Sequence, residues 1–284
     1  MLTLFQSVIL GLLQGVTELF PISSLGHTVI FPTLFGWHVN QQDPAFLAFI
    51  VVTHLATATA LLLFFLGDWG KILGGLWRSL REREVRADDT FAKLGWLLVV
   101  SSVPVGILGI LFEKQFSALF AVPLFAGIFL IGNAIVLYGS EMLIRRRPQR
   151  ESHSYERVSR MSWWSAVEVG LMQCLALLPG FSRTGATLAG GLLVGLSHED
   201  AARYAFLLST PIIFAAGVLK IPELALSGEH VNILSFVVGA AVSGIAAWFS
   251  VKFLTRYFKT NTLTPFAYYC AALGLLTVAI ATLG

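Results

Sequence analysis

Stretches of about 20 predominantly apolar residues recur along this chain, each long enough to cross a hydrocarbon core ~30 Å thick as a helix. Six read as full spans: 44–67, 94–112, 119–143, 201–220, 231–255 and 262–284. Only 12% of the residues are charged, against about 25% in a soluble domain, so the chain cannot cover a water-facing surface. Disorder is excluded by the same numbers, since it needs low hydrophobicity and high charge. The expected fold is an all-α polytopic membrane protein, one integral membrane domain over 1–284.

Several other classes drop out. Both cysteines, Cys174 and Cys270, lie inside apolar runs, which argues against a disulfide scaffold or a structural zinc site. The net charge of +3 would suit a nucleic-acid binder only if the basic residues formed a patch interleaved with aromatics, and they do not. The N-terminus carries no early Lys or Arg and no small-residue cleavage pattern, so no cleavable signal peptide is expected.

The basic residues instead mark sidedness. Lys71, Arg78, Arg81, Arg83, Arg86 and Lys93 surround one polar stretch, Arg145, Arg146, Arg147, Arg150, Arg157 and Arg160 fill a second, and Lys252, Arg256 and Lys259 flank a third. The positive-inside rule places all three in the cytoplasm. Residues 78–90 also carry Glu82, Glu84, Asp88 and Asp89 and read as a solvated loop. Trp37, Trp69, Trp77, Trp96, Trp163 and Trp164 fall near span ends, as an interfacial aromatic belt requires.

With the basic loops inside, 1–35 must end outside, and 163–195 must enter from the cytoplasm and return to it. Each is broken, at Phe20-Pro21 and at Leu178-Pro179-Gly180, and proline removes an amide donor and clashes with the preceding turn. Both therefore read as re-entrant helix hairpins. Irregular backbone at membrane depth is tolerated only where it is buried in protein or lines a cavity.

The two hairpins resemble each other at an offset of 159 residues: GLLQGVTELFPISSLGHT from Gly11 lies over GLMQCLALLPGFSRTGAT from Gly170. Gln14 meets Gln173, Ser23 meets Ser182, Gly26 meets Gly185 and Thr28 meets Thr187. Each hairpin precedes three spans, so an odd number of crossings inverts the second half. The expected organisation is repeat one over 1–143, a cytoplasmic linker over 144–162, and repeat two over 163–284. Inverted repeats of this kind place their sites where the broken helices meet near the midplane.

Ionisable residues deep in apolar sequence are expensive and usually functional. Arg183 is the only Arg or Lys inside a membrane element and away from its ends. Around it, Pro179-Gly-Phe-Ser-Arg-Thr-Gly-Ala-Thr187 offers Gly180, Gly185, Ser182, Thr184 and Thr187, and turn amides with a helix N-terminus and a guanidinium make an anion cradle. Arg fits a phosphate bidentately, which Lys cannot. The competing readings are an N-cap by Ser182 or Thr184, and a salt bridge from Arg183 to Glu18 or Glu168 that locks the halves together. In hairpin 1, Gln14 and Glu18 share a helix face, and their oxygens suit a hard cation such as Mg²⁺ or Ca²⁺. Ser23 and Ser24 follow on the turn, and His27 is three residues beyond Ser24, close enough to serve a hydroxyl nucleophile as its base; the competing reading is a Ser N-cap and a His bonded to a buried carbonyl. His54 reads as a packing or supporting residue, and Glu168 as an interfacial one.

QGVTELFPISSLGH at 14–27 and QCLALLPGFSRTGAT at 173–187 make the chain resemble, over essentially its whole length, the bacterial undecaprenyl-diphosphate phosphatase family of the bacitracin-resistance type. Gln14 is the amide variant of that family's Glu/Gln-x₃-Glu pattern, and at His54 the family more often has Gln. The resemblance implies hydrolysis of undecaprenyl diphosphate to undecaprenyl phosphate, recycling the lipid carrier of peptidoglycan synthesis and conferring bacitracin resistance, in the bacterial inner membrane with a site opening to the periplasm. It implies that Glu18 and Gln14 hold Mg²⁺ or Ca²⁺. By the same resemblance Arg183, with Ser182, Thr184, Thr187, Ser23, Gly180 and Gly185, would bind the diphosphate, and Ser24 and His27 would supply nucleophile and acid/base. Attack by water without a covalent intermediate stays open. The expected partners are a polyprenyl diphosphate and membrane lipids, with no nucleic acid and a homodimer left open.

Two rival classes share parts of this pattern. The acid-phosphatase-like membrane class needs a Lys-x₆-Arg-Pro block and an Arg-x₅-His block, and neither accompanies Ser24 or Arg183. An inverted-repeat transporter or flippase for a phosphorylated lipid shares the architecture but has no need of a Ser/His pair beside a carboxylate.

Overall fold

A computed structural model describes residues 2–37, 39–120, 122–145, 155–226 and 232–283, and among these the regular structure is entirely helical. Six helices are long and apolar enough to span a membrane: α3 (Pro44–Phe64), α5 (Thr90–Leu111), α7 (Pro123–Ile144), α11 (His198–Leu226, apolar through Lys220), α12 (Ile233–Tyr257) and α13 (Thr264–Leu283). The chain is a multi-pass membrane protein.

Local chemistry sets several boundaries away from the hydropathy expectations. The Asp43 side chain caps α3, with Pro44 at the first helical position. Asp89 caps α5, so that span begins at Thr90 rather than 94. The run expected over 119–143 is divided, with a short α6 (Glu113–Phe120) before α7 starts at Pro123. The run expected over 44–67 is also cut at Phe65, where α4 (Leu66–Glu82) begins, so 78–82 is helix and not loop. Four glycines masked this amphipathic helix in the sequence. Gly75 is what docks it: a Cβ there would stand 2.5 Å from the Ala92 amide nitrogen. Ile72 is buried, while Lys71, Arg78 and Arg81 are exposed alongside Leu73, Trp77 and Leu80, the pattern of a helix lying along a membrane interface. Arg146, Arg147, Arg150 and the rest of 146–154 lie outside the described residues.

The broken stretches form two helix–turn–helix units. α1 (Leu4–Thr17) stops ahead of Pro21 and the chain resumes as α2 (Ser24–Leu34). α9 (Trp163–Gln173) runs through a 3₁₀ turn, Cys174–Leu177, and resumes as α10 (Arg183–Leu193). The second helices start alike: Ser23 accepts from the Gly26 amide at 3.2 Å, and Ser182 from the Gly185 amide at 3.1 Å.

Packing crosses between the halves. α1 lies on α12 and α9 lies on α5, while α3 pairs with α11 and α7 with α13. Both crossed pairs close on the matching glycines. A Cβ on Gly11 would lie 2.4 Å from the Gly239 carbonyl oxygen, and one on Gly170 would lie 2.5 Å from that of Ser101. Small residues at such contacts let backbones approach and gain dispersion contact in a solvent that offers no hydrophobic driving force.

One end of the bundle is tied together by polar contacts. His198 Nε2 lies 2.7 Å from Glu141 Oε1, which also accepts the Leu263 amide at 2.7 Å, joining the ends of α7, α11 and α13. At the same end Lys259 stands 3.9 Å from Glu199. The Tyr155 hydroxyl, on the short α8 (Tyr155–Ser159), donates to Asp68 at 2.5 Å, and burial, then the Asp68 carboxylate, push its phenol above the ordinary tyrosine range.

Candidate functional site

The two turns meet against α7, and between them sits a buried carboxylate. Glu18 is the first residue past α1, 6% exposed, and its oxygens collect donors from four elements. Arg183 Nη2, at the start of α10, donates to Oε1 at 2.9 Å. Gln14 Nε2, one turn back on α1, donates to Oε2 at 3.1 Å, and the Ser24 hydroxyl at the start of α2 donates to the same oxygen in a short contact. His54 Nε2, from the middle of α3, stands 3.2 Å from that oxygen. The sequence reading treated His54 as a supporting residue; the fold brings it into direct contact with the carboxylate. Its Nδ1 lies 2.8 Å from the Ile50 carbonyl, which can only accept, so Nδ1 is the donor of that bond.

His27 is brought near but not onto Ser24. Its Nδ1 donates to the Ser23 carbonyl at 2.6 Å, and its Nε2 faces the Tyr269 hydroxyl at 2.7 Å with the two rings parallel within 2°. The carbonyl fixes the proton on Nδ1, so Nε2 is the acceptor for the phenol. The hydrogen-bonding partner of Ser24 is therefore Glu18. Ser23 itself has φ 68°, a left-handed conformation that costs a non-glycine residue on the order of 1–3 kcal/mol and gathers at functional sites.

The hydroxyls of the second turn are committed to the first. Thr184 Oγ1 donates to the Glu18 carbonyl at 3.0 Å, and Ser182 Oγ, besides capping α10, donates to the Phe20 carbonyl at 3.3 Å. These answer carbonyls that the interrupted helix leaves without intrahelical donors. Gly180 takes φ +102°, and its amide sits so near α7 that a Cβ would meet the Ala126 carbonyl oxygen at 2.3 Å. Gly185 spends its amide on the Ser182 cap, so the cap reading and the cradle reading share this turn. Thr187 and Gln173 are fully buried, with Thr187 Oγ1 and Gln173 Oε1 lacking protein partners. Glu168 is exposed on α9 and does not join the site. Asn133, in contact with both turns, and Tyr269, in contact with His27 on α2, were missed. Asn133 left a signal as the single amide side chain of its apolar span, and Tyr269 left none.

Such a constellation, a carboxylate paired with a guanidinium and flanked by histidine and serine within an apolar bundle, defines a polytopic membrane protein built around a buried charged centre. The chain belongs to the family described as bacitracin resistance protein BacA, whose model matches residues 7–276. It is 44% identical over 299 residues to a protein named undecaprenyl-diphosphatase from Mycobacterium avium, covering 96% of this chain and 95% of that one. It is 41% identical to one of the same name from Acidiphilium cryptum, covering 98% of each chain. It is 40% identical to undecaprenyl-diphosphatase 2 of Frankia alni, covering 97% of each.

Proposed function

We propose that this chain is a phosphatase that hydrolyses undecaprenyl diphosphate to undecaprenyl phosphate and inorganic phosphate, recycling the lipid carrier of the cell wall. The observation that carries the reading is Glu18 holding Arg183 on one oxygen and the Ser24 hydroxyl on the other, at the junction of the two turns. The relatives' shared name supplies the substrate.

Phosphoryl transfer needs mainly positioning and charge stabilisation. Arg183 leaves Glu18 Oε1 for the diphosphate oxygens and clamps them with its planar fork. The Ser24 oxygen attacks the terminal phosphorus, its proton passes to Glu18, and the bond from that phosphorus to the bridging oxygen breaks, releasing undecaprenyl phosphate. Water then attacks the phosphoserine phosphorus, with His27 as its base once the Tyr269 hydroxyl has turned away from Nε2, and the Ser24 oxygen leaves, taking its proton back from Glu18 and releasing inorganic phosphate. Gln14 and His54 hold Glu18 in place throughout.

Glu18 and the amide oxygen of Gln14 would hold a Mg²⁺ or Ca²⁺ ion. Among the described residues no group of three or more His, Cys, Asp and Glu side chains could form a complete cage. A carboxylate with an amide oxygen one helical turn away is an oxygen donor pair of the kind a hard cation would take. When bound, such a cation neutralises charge developing on the phosphoryl oxygens.

The hairpins are read as re-entrant, the halves (1–143 and 163–284) as inverted repeats, and the membrane as the bacterial inner membrane. The crossed pairings of α1 with α12 and α9 with α5 support the repeat. The basic residues of the sequence support a cytoplasmic face at the end that carries them, and the site is read as opening to the periplasm.

The test is purified protein in detergent with a prenyl diphosphate and Mg²⁺ or Ca²⁺. Phosphate release that disappears in Glu18→Ala and Arg183→Ala supports the enzyme. Release that survives both changes, or is absent from wild type, overturns it in favour of a lipid transporter.

A further inference from the structure

Both turns rest on one stripe of α7. Ala126, Leu130, Asn133 and Leu137 follow one another at helical spacing and all are fully buried. Gly180 of the second turn packs on the first two: a Cβ there would stand 2.8 Å from the Leu130 amide nitrogen as well as 2.3 Å from the Ala126 carbonyl oxygen. Gly185 faces Leu137 on one side and Pro21 of the first turn on the other, with a Cβ 3.2 Å from each. The polar member of the stripe is Asn133.

Its amide touches both turns at once. Nδ2 donates to the Pro21 carbonyl at 3.0 Å, and Oδ1 accepts the Ser182 amide at 3.1 Å. The Pro21 carbonyl can only accept and the Ser182 amide can only donate, so the orientation of the side chain is fixed. The other bonds between the turns, from Ser182 Oγ, Thr184 Oγ1 and Arg183 Nη2, run from hairpin to hairpin and would slide with them. The Asn133 bonds instead refer both turns to a third body, a full span packed against α13. In an apolar interior an unpaired amide is costly, so the pair of bonds makes one register strongly preferred.

We propose that Asn133 is a positioning residue for the hydrolysis: it sets the register between the two turns, and through it the placement of Arg183 against Glu18 and Ser24. The kinetic arm of the test rests on the function proposed above, and the structural arm does not. Asn133→Leu removes both bonds. Asn133→Asp, buried as the neutral acid, keeps an acceptor for the Ser182 amide and an O–H that can donate to the Pro21 carbonyl, so it is the milder variant should the first fail to fold. Leu94→Ala, a cavity in the core on α5, serves as a control matched by melting temperature.

With a prenyl diphosphate, kcat should fall on the order of 10²-fold in Asn133→Leu, the scale of a small misplacement, and less in Asn133→Asp. KM should stay within about twofold in both, and Leu94→Ala should keep kcat at an equal loss of melting temperature. Structures of the variants in nanodiscs should show Arg183 and Glu18 drawn apart from their 2.9 Å contact. The proposal is overturned if kcat falls equally in Leu94→Ala, if it is unchanged in both Asn133 variants, or if the turns and the 2.9 Å contact stay in place without the amide. Absence of phosphate release from wild type would defeat the proposed function alone, leaving the structural arm to decide the role of Asn133.

Discussion

The two hairpins use one backbone device for opposite chemical ends. Each has a short helix with a buried glutamine, Gln14 or Gln173, then a break, then a serine cap that takes the amide of a glycine three residues on. The side chains at equivalent places diverge. Glu18 faces Leu177, Ser24 faces Arg183, and His27 faces Ala186 across the offset of 159 residues. Hairpin 1 carries the carboxylate, hydroxyl and imidazole, and hairpin 2 carries the guanidinium. Neither holds its charge alone at tolerable cost inside an apolar bundle. Each half thus requires the other, and the pairing that satisfies the buried charges also builds the candidate site.

The sharpest way to break this comparison is to exchange lesions at matched positions. Glu18→Ala strands Arg183 in an apolar bundle, and removing one partner of a buried pair costs about 3–5 kcal/mol. Phosphate release should be abolished and the melting temperature in detergent should drop, whereas Leu177→Ala should leave turnover within a few-fold. Equal effects at the two positions would refute the asymmetry.

Next comes Ser24→Ala. As nucleophile, Ser24 should lose turnover by roughly 10³-fold or more when its hydroxyl is removed. A residual rate within a few-fold of wild type would take it out of the covalent role and favour direct attack by water. Arg183→Lys keeps the charge but not the fork, and turnover should fall on the order of 10²-fold. Near-wild-type turnover would reduce Arg183 to a structural lock. The smallest effect tests what the hairpins share. Ser23→Ala and Ser182→Ala each remove a helix cap worth about 1 kcal/mol, so their losses in thermal stability should be alike. A much larger loss for Ser182→Ala would report its second bond, to the Phe20 carbonyl.

Much of the fold was legible because a bilayer demands long apolar helices with internally satisfied backbones. The six spans, the two broken stretches and the Ser–Gly caps follow from hydropathy, proline and hydroxyl placement along the chain. The amphipathic α4 was not legible, since its glycines read as loop until Gly75 was seen to pack on Ala92. At the site, Gln14, Glu18, Ser24 and Arg183 could be picked out as polar residues in apolar runs, and they converge on one carboxylate.

Sequence by itself determined which residues cannot face lipid unpaired, because the transfer cost of a charge or an amide is a property of the group and its apolar neighbours. It could not determine who pairs with whom. That His54 rather than His27 reaches Glu18, that His27 is occupied by Tyr269, and that Asn133 joins both turns depend on contacts between segments up to 242 residues apart. Only the packing of one half against the other decides those contacts, since hydrogen-bond partners within a bundle are selected by helix register and not by order along the chain.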